Sequence, residues 1–187
     1  MSAEEMIVQA GAHAFGDGSH PTTVGMLAAL EAIDPAAFTP RAVCDMGAGS
    51  GILSVAVARQ FGCKVVAVDI ERQAVETLRE NARTNAVDSL IRAVHSDGFA
   101  HPAIQAAAPF DLILMNILAE PLLRLATQAE ALLAPGGVLV LSGMLAWQEP
   151  QVSAAYQAIG LEPAHRLTLH DWVTLVFQKP EAIELQG

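Results

Sequence analysis

The sequence is short of basic residues, of cysteine and of aromatic rings. Ten Lys and Arg stand against twenty Asp and Glu, a formal charge of -10 over 187 residues. That balance leaves too little positive charge to neutralise phosphates along a face, so a nucleic-acid reader is not expected. An acidic surface instead steers in a small cation or a basic protein partner, or simply keeps the chain dissolved. The two cysteines, Cys44 and Cys63, lie in or beside apolar runs without metal-ligand spacing. They exclude a disulfide framework and a thiolate metal site, and read as small buried hydrophobes kept reduced, as in the cytoplasm. Long apolar runs are missing too. The longest break at Asp, Asn, Pro or Gly, so no membrane span is expected. The first residues, "MSAEEMIVQAG", are acidic and lack a cleavable apolar core, which argues against a signal peptide. What is abundant is hydrophobic side chain, 52% of the residues, enough for a substantial core in one domain.

Two periods alternate along the chain. Helical stretches are "PTTVGMLAALEAI", "GILSVAVARQF", "RQAVETLRENARTN", "AEPLLRLATQAEALL" and "QEPQVSAAYQAIG". In the third, Ala74, Val75, Leu78 and Ala82 share one face. Between them run short, almost wholly apolar strands: "AVCDM", "KVVAVDI", "IRAVH", "DLILMNI" and "GVLVLSG". Strands apolar on both sides indicate a parallel sheet covered by helices. The alternation predicts an α/β doubly wound, mostly parallel sheet with right-handed crossovers. Pro21 is placed to open a helix, and "APGG" to close one and turn into a strand. The last third differs: "LEPAHRLTLH" and "DWVTLVFQK" predict an antiparallel C-terminal hairpin turning near His170 and Asp171. The expected division is a leader over residues 1–13, one domain over 14–180 and a frayed tail over 181–187.

"VCDMGAGSG" runs from the first strand straight into a helix, with Asp45 two residues ahead of Gly47, Gly49 and Gly51. Glycines permit positive φ and let a ligand approach the backbone. The spacing G-x-G-x-G is not the dinucleotide fingerprint, which counts against a nicotinamide oxidoreductase. "KVVAVDI" brings Asp69, followed by Ile70, to the carboxyl end of the next strand, where a carboxylate accepts the two hydroxyls of a ribose. Asp97 and Gly98, in "SDGF" after the third strand, are placed to meet an adenine amino group. Together these residues define a slot for an adenosine bearing something compact. Each has a plain alternative: turn glycines, a helix cap at Asp69, a tight turn at Asp97. The ordered combination favours the slot.

"DMGAGSG", "VVAVDI", "NILAEPLL" and "APGGVLVLSGML" resemble the class I S-adenosylmethionine-dependent methyltransferases. With "FGDGSHPTT" and the terminal "WVTLVFQK", the chain is similar, from about Ala14 to Lys179, to the catalytic domain of the ribosomal protein L11 lysine methyltransferases. The resemblance implies a Rossmann-like, seven-stranded methyltransferase fold, S-adenosylmethionine as cofactor and S-adenosylhomocysteine as product. It places Phe15, Gly16, Gly18, His20, Thr22 and Thr23 beside the sulfonium pocket, and has Asn116 present carbonyl oxygens to an incoming amine. Thr22 and Thr23 open a helix, where free N–H groups and hydroxyls hold a carboxylate or simply cap the helix. His20 is the one candidate for a general base; a solvated loop histidine is the alternative. Between the two loop glycines the family usually has Thr where this chain has Asp17, so the family's substrate contacts do not transfer directly. The resembled enzymes also carry an N-terminal recognition domain, and here about thirteen residues precede the loop. Two readings stay open, a trimmed protein or a stand-alone relative with another substrate.

The expected function is methyl transfer to an amino group of a protein, in the cytoplasm. The alternatives are a small-molecule methyltransferase on the same fold and a non-catalytic cofactor-binding module. The sulfonium is already activated, so the enzyme's task is alignment and exclusion of water. The obstacle is the nucleophile's proton: a lysine with pKa near about 10.4 holds it at pH 7, roughly 4–5 kcal/mol against the neutral amine.

Overall fold

The structure, a computed structural model, describes residues 18–34 and 36–181. In chain order its elements are α1 (Pro21–Glu31), β1 (Ala42–Met46), α2 (Ile52–Phe61), β2 (Lys64–Asp69), α3 (Arg72–Thr84), β3 (Ile91–His95), α4 (Pro102–Gln105), β4 (Phe110–Asn116), α5 (Ala119–Leu132), β5 (Leu133–Leu145), α6 (Glu149–Ala158), β6 (Glu162–Leu169) and β7 (Trp172–Gln178). They form one seven-stranded sheet in the order β3-β2-β1-β4-β5-β7-β6. The first five strands in that order run parallel; β7 pairs antiparallel with β5, and β6 antiparallel with β7. The expected doubly wound sheet with a terminal hairpin is what the chain forms, with β3 and β6 at its two edges. The short α4 was not read from the sequence.

Local chemistry sets the elements. Pro21 opens α1, and glycines in left-handed conformation flank α2, Gly51 at φ 83 and Gly62 at φ 64. On α3 the expected stripe of Ala74, Val75, Leu78 and Ala82 is buried. Alternation along β4 feeds two cores: Ile113 and Met115 pack on one side of the sheet, Leu112 and Leu114 on the other. Cys44 and Cys63 are buried and unpaired in a disulfide, as expected of small hydrophobes. "APGG" acts as a turn although β5 begins before it. Phe110 pairs with Leu133 and Leu112 with Val138, so Ala134 to Gly137 loop out opposite Asp111, with Gly136 at φ 71.

The functional consequence lies at one edge. The chain leaves β1 toward β2 and returns later to β4 on the other side, so the carboxyl ends of β1 and β4 bound a topological switch point. Ligand crevices in open α/β sheets form there. Among the described residues no helix is long and apolar enough to cross a membrane, and no cluster of His, Cys, Asp and Glu could hold a metal ion.

Candidate active site

The loop after β1 is hooked onto β2. The amides of Gly47 and Ala48 donate to the Val68 carbonyl at 2.8 and 2.9 Å. Asp69 then spreads its carboxylate between two segments: Oδ2 accepts the Gly49 amide at 2.8 Å, and Oδ1 accepts the Glu71 amide at 2.9 Å. A charged acceptor makes each bond roughly twice as strong as a neutral one. Asp69 therefore fixes the glycine loop and the start of α3 together; the second contact is the capping alternative read from the sequence, and the first was not foreseen. Gly47, at φ 76, has no room for a side chain because Ile117 fills the space a Cβ would take.

A second fixing residue was missed in the sequence. Asn81 is buried on the apolar face of α3 and donates Nδ2 to the Ser50 carbonyl at 2.8 Å; Asn85 in turn donates to the Asn81 carbonyl at 2.8 Å. The available signal was a carboxamide between Leu78 and Ala82, where the helical stripe calls for an apolar residue.

Asp45 lies beneath the loop and lines neither cavity described below. Ser54 Oγ donates to its Oδ2 at 2.5 Å, while Oδ1 is buried without a partner. Burial pushes its pKa up to about 6, opposed by the Ser54 bond and reinforced by the nearby Asp69 charge. The folded chain thus holds this proton more tightly than the unfolded chain, whose value is near 3.8. Stability from this group is present at acid pH and lost as pH rises from about 4 to 6, by about 3 kcal/mol. Asp45→Asn is accordingly expected to raise Tm at pH 7 by several degrees and to change it little at pH 4. A melting series showing the same difference at both pH values would contradict the assignment.

Two cavities open along this edge. The first, about 480 Å³, is bordered by Gly47, Gly49, Asp69, Ile70, Asp97, Gly98 and Asn116, with Arg124 on α5. The second, about 270 Å³, is bordered by His20, Thr22, Thr23, Asn116, Gly143 and Trp172, with an apolar floor of Ile52, Leu53 and Ile117. Gly47, Gly49, Asn116, Ile117 and Leu118 belong to both, so Asn116 stands where the cavities adjoin. The backbone of Ile117 packs so closely on β5 that a Cβ on Gly143 would strike its carbonyl oxygen.

The expected site residues therefore distribute unevenly. Of the residues expected around adenosine, Gly47, Gly49, Asp69, Ile70, Asp97 and Gly98 meet in the first cavity, and Asp45 does not. There Asp97 is held by Arg124, Oδ1 to Nη2 at 3.0 Å. Of those expected near the sulfonium, His20, Thr22 and Thr23 border the second, while Gly18 does not line it but abuts Ile52, which does. Gly51 lines neither: it opens α2 with Leu78 behind it. Phe15 and Gly16 lie outside the described residues. His20 caps α1, its Nδ1 accepting the Thr22 amide at 3.3 Å and lying 2.8 Å from Thr22 Oγ1. Asn116 Nδ2 lies 3.5 Å from Thr23 Oγ1, and both residues border the second cavity. Trp172, which packs edge-on against His20 at 5.0 Å, was not foreseen as a site residue.

Comparison with known proteins gives a consistent answer. A family model described as "Ribosomal protein L11 methyltransferase" matches residues 2–180. The chain is 44% identical over 166 residues to the ribosomal protein L11 methyltransferase of Rhodopseudomonas palustris, covering 89% of this chain and 56% of that protein. It is 40% identical over 179 residues to the protein of that name from a Caulobacter strain, covering 96% and 61%. The chain thus spans little more than half the length of these relatives. Among solved structures it is similar to a ribosomal protein L11 methylase from Lactobacillus delbrueckii subsp. bulgaricus, with TM-score 0.73, 28% identity, and coverage of 90% of this chain and 82% of that one.

Proposed function

The chain belongs to the ribosomal protein L11 methyltransferase family, and from that premise we propose that it methylates amino groups of a protein, with ribosomal protein L11 as acceptor and S-adenosylmethionine as donor. The observation that carries the reading is Asn116, placed where a nucleoside-sized cavity meets a smaller, apolar one. The residues present fit the cofactor. Asp69 retains lone pairs for ribose hydroxyls beyond those given to Gly49 and Glu71. Ile70 and Leu118, 56% and 69% exposed at the mouth, are apolar surfaces suited to the faces of a purine. When bound, S-adenosylmethionine supplies a methyl group on a cationic sulfur and remains as S-adenosylhomocysteine.

The chain's own residues do the remaining work. The Asn116 carbonyl orients an amine in the second cavity, and the walls of Ile117, Leu118 and Trp172 keep water from it. Desolvation by those walls favours the neutral amine, and its proton leaves to solvent. His20 serves as a wall and a cap, with Trp172 against it. A ribosomal protein acceptor places the enzyme in the cytoplasm and gives the acidic surface a basic partner.

Asn116→Ala is expected to lower kcat about 10- to 100-fold and to leave the Kd for S-adenosylhomocysteine within about threefold. Equal losses in both would make Asn116 a cofactor contact only. The reading itself is tested by incubating the chain with methyl-labelled cofactor, recombinant bacterial L11 and, separately, free amines. Label in L11 supports it; label confined to free amines, or none transferred, overturns it. One observation favours that second outcome, a small-molecule acceptor: the cavity beside Asn116 is small and apolar-walled, not a broad acidic groove.

A further inference from the structure

We propose that the turn following β5 is a docking surface for the acceptor polypeptide, with Trp147 as its anchor. The inference rests on the protein-acceptor reading above.

Trp147 is the most exposed large hydrophobic residue among those described, at 76%. It belongs neither to the core nor to either cavity. Its turn is rigidly closed. The Gln148 amide donates to the Leu145 carbonyl at 2.9 Å, and the Leu145 amide donates to Gln148 Oε1 at 2.9 Å. The Ala146 amide ties the turn to the β6–β7 hairpin through the Asp171 carbonyl at 2.9 Å. A side chain displayed on so fixed a turn loses little entropy when a partner covers it, which is what makes a tryptophan an effective anchor.

The position matches the chemistry. Leu145, two residues before Trp147, pairs across the sheet with Trp172, a wall of the acceptor cavity, and Trp172 pairs onward with Leu169. Leu118 at the cavity mouth and Leu169 at the top of β6 are also exposed, at 69% and 36%. Trp147 and Leu169 thus stand at the end of the sheet that carries Trp172, beside the cavity that Asn116 borders. Exposed carboxylates at Glu120 and Asp171 accompany them, on a protein of net charge -10. Apolar anchors among carboxylates suit a lysine-bearing polypeptide, cationic between apolar residues, better than they suit a free small amine.

The test compares wild type, Trp147→Ala and Trp147→Phe in steady-state transfer to recombinant L11, with calorimetry of S-adenosylhomocysteine and sedimentation velocity on each. Trp147→Ala is expected to raise the KM for L11 about 10-fold or more, with kcat, cofactor affinity and Tm unchanged within error. Trp147→Phe is expected to recover most of the loss. An unchanged KM overturns the proposal. So does a parallel loss of cofactor affinity, which would assign Trp147 to the cofactor site. A wild-type dimer dissolved by Trp147→Ala would assign the surface to a second copy and overturn it equally. If wild type binds S-adenosylhomocysteine but transfers nothing to L11, the acceptor reading falls and this surface with it; if wild type transfers and Trp147→Ala matches it, only the surface falls.

Discussion

Gly143→Ala is expected to abolish measurable transfer and to lower Tm by about 10 °C. Gly143 has φ 90 and sits at a register shift in β5 between Leu141 and Met144. A left-handed conformation costs a residue with a Cβ about 1–2 kcal/mol. The greater penalty is steric. The new methyl would meet the carbonyl oxygen and carbon of Ile117, and its nitrogen at 2.9 Å, all backbone atoms with no rotamer to turn away. Relief requires pushing the segment from Asn116 to Leu118 off β5, which moves Asn116 out of the cavity junction. A loss of about 3–4 kcal/mol corresponds to roughly 10 °C for a chain of this size. A thermal melt within about 3 °C of wild type, with transfer retained, would show that Gly143 does not hold the segment in place.

Asp69→Ala is expected to weaken S-adenosylhomocysteine binding about 100-fold. The replaced carboxylate is the common acceptor for Gly49 and Glu71, so its loss frees the glycine loop as well as any ribose contact. Hydrogen bonds to a charged group contribute about 1.5–3 kcal/mol each, and the 100-fold figure corresponds to losing roughly 2.7 kcal/mol. Asp69→Asn, which keeps one acceptor oxygen, should fall between. Calorimetry showing Asp69→Ala within about threefold of wild type would remove Asp69 from the site.

Much of this was legible in the sequence because burial on both sides writes itself as unbroken apolar strands. "AVCDM" and "IRAVH" correspond residue for residue to β1 and β3. The hairpin turn at His170 and Asp171 was legible from alternation on either side. The glycines, Asp69 and Asn116 were legible as a group because the α/β topology sends every parallel strand's carboxyl end to one edge. What escaped depends on contacts between distant segments. Asn81 reads as an ordinary helix residue until Ser50 lies against it, 31 residues away. Trp172 becomes a wall only when β7 folds beside α1. Asp97, expected to face adenine, borders the first cavity together with its ion-pair partner Arg124, a pairing between segments 27 residues apart that sequence reading did not find. His20 reads as a base or a loop residue, and its role as cap follows from the Thr22 amide.

The central claim is that separated segments converge on one edge of the sheet to hold the cofactor beside Asn116. Hydrogen–deuterium exchange with and without S-adenosylhomocysteine tests it most directly. Slowed exchange should appear in peptides covering residues 47–51, 69–71, 97–98 and 116–118, and peptides over β6 should not change. Protection appearing elsewhere, or none at saturating ligand, would contradict it.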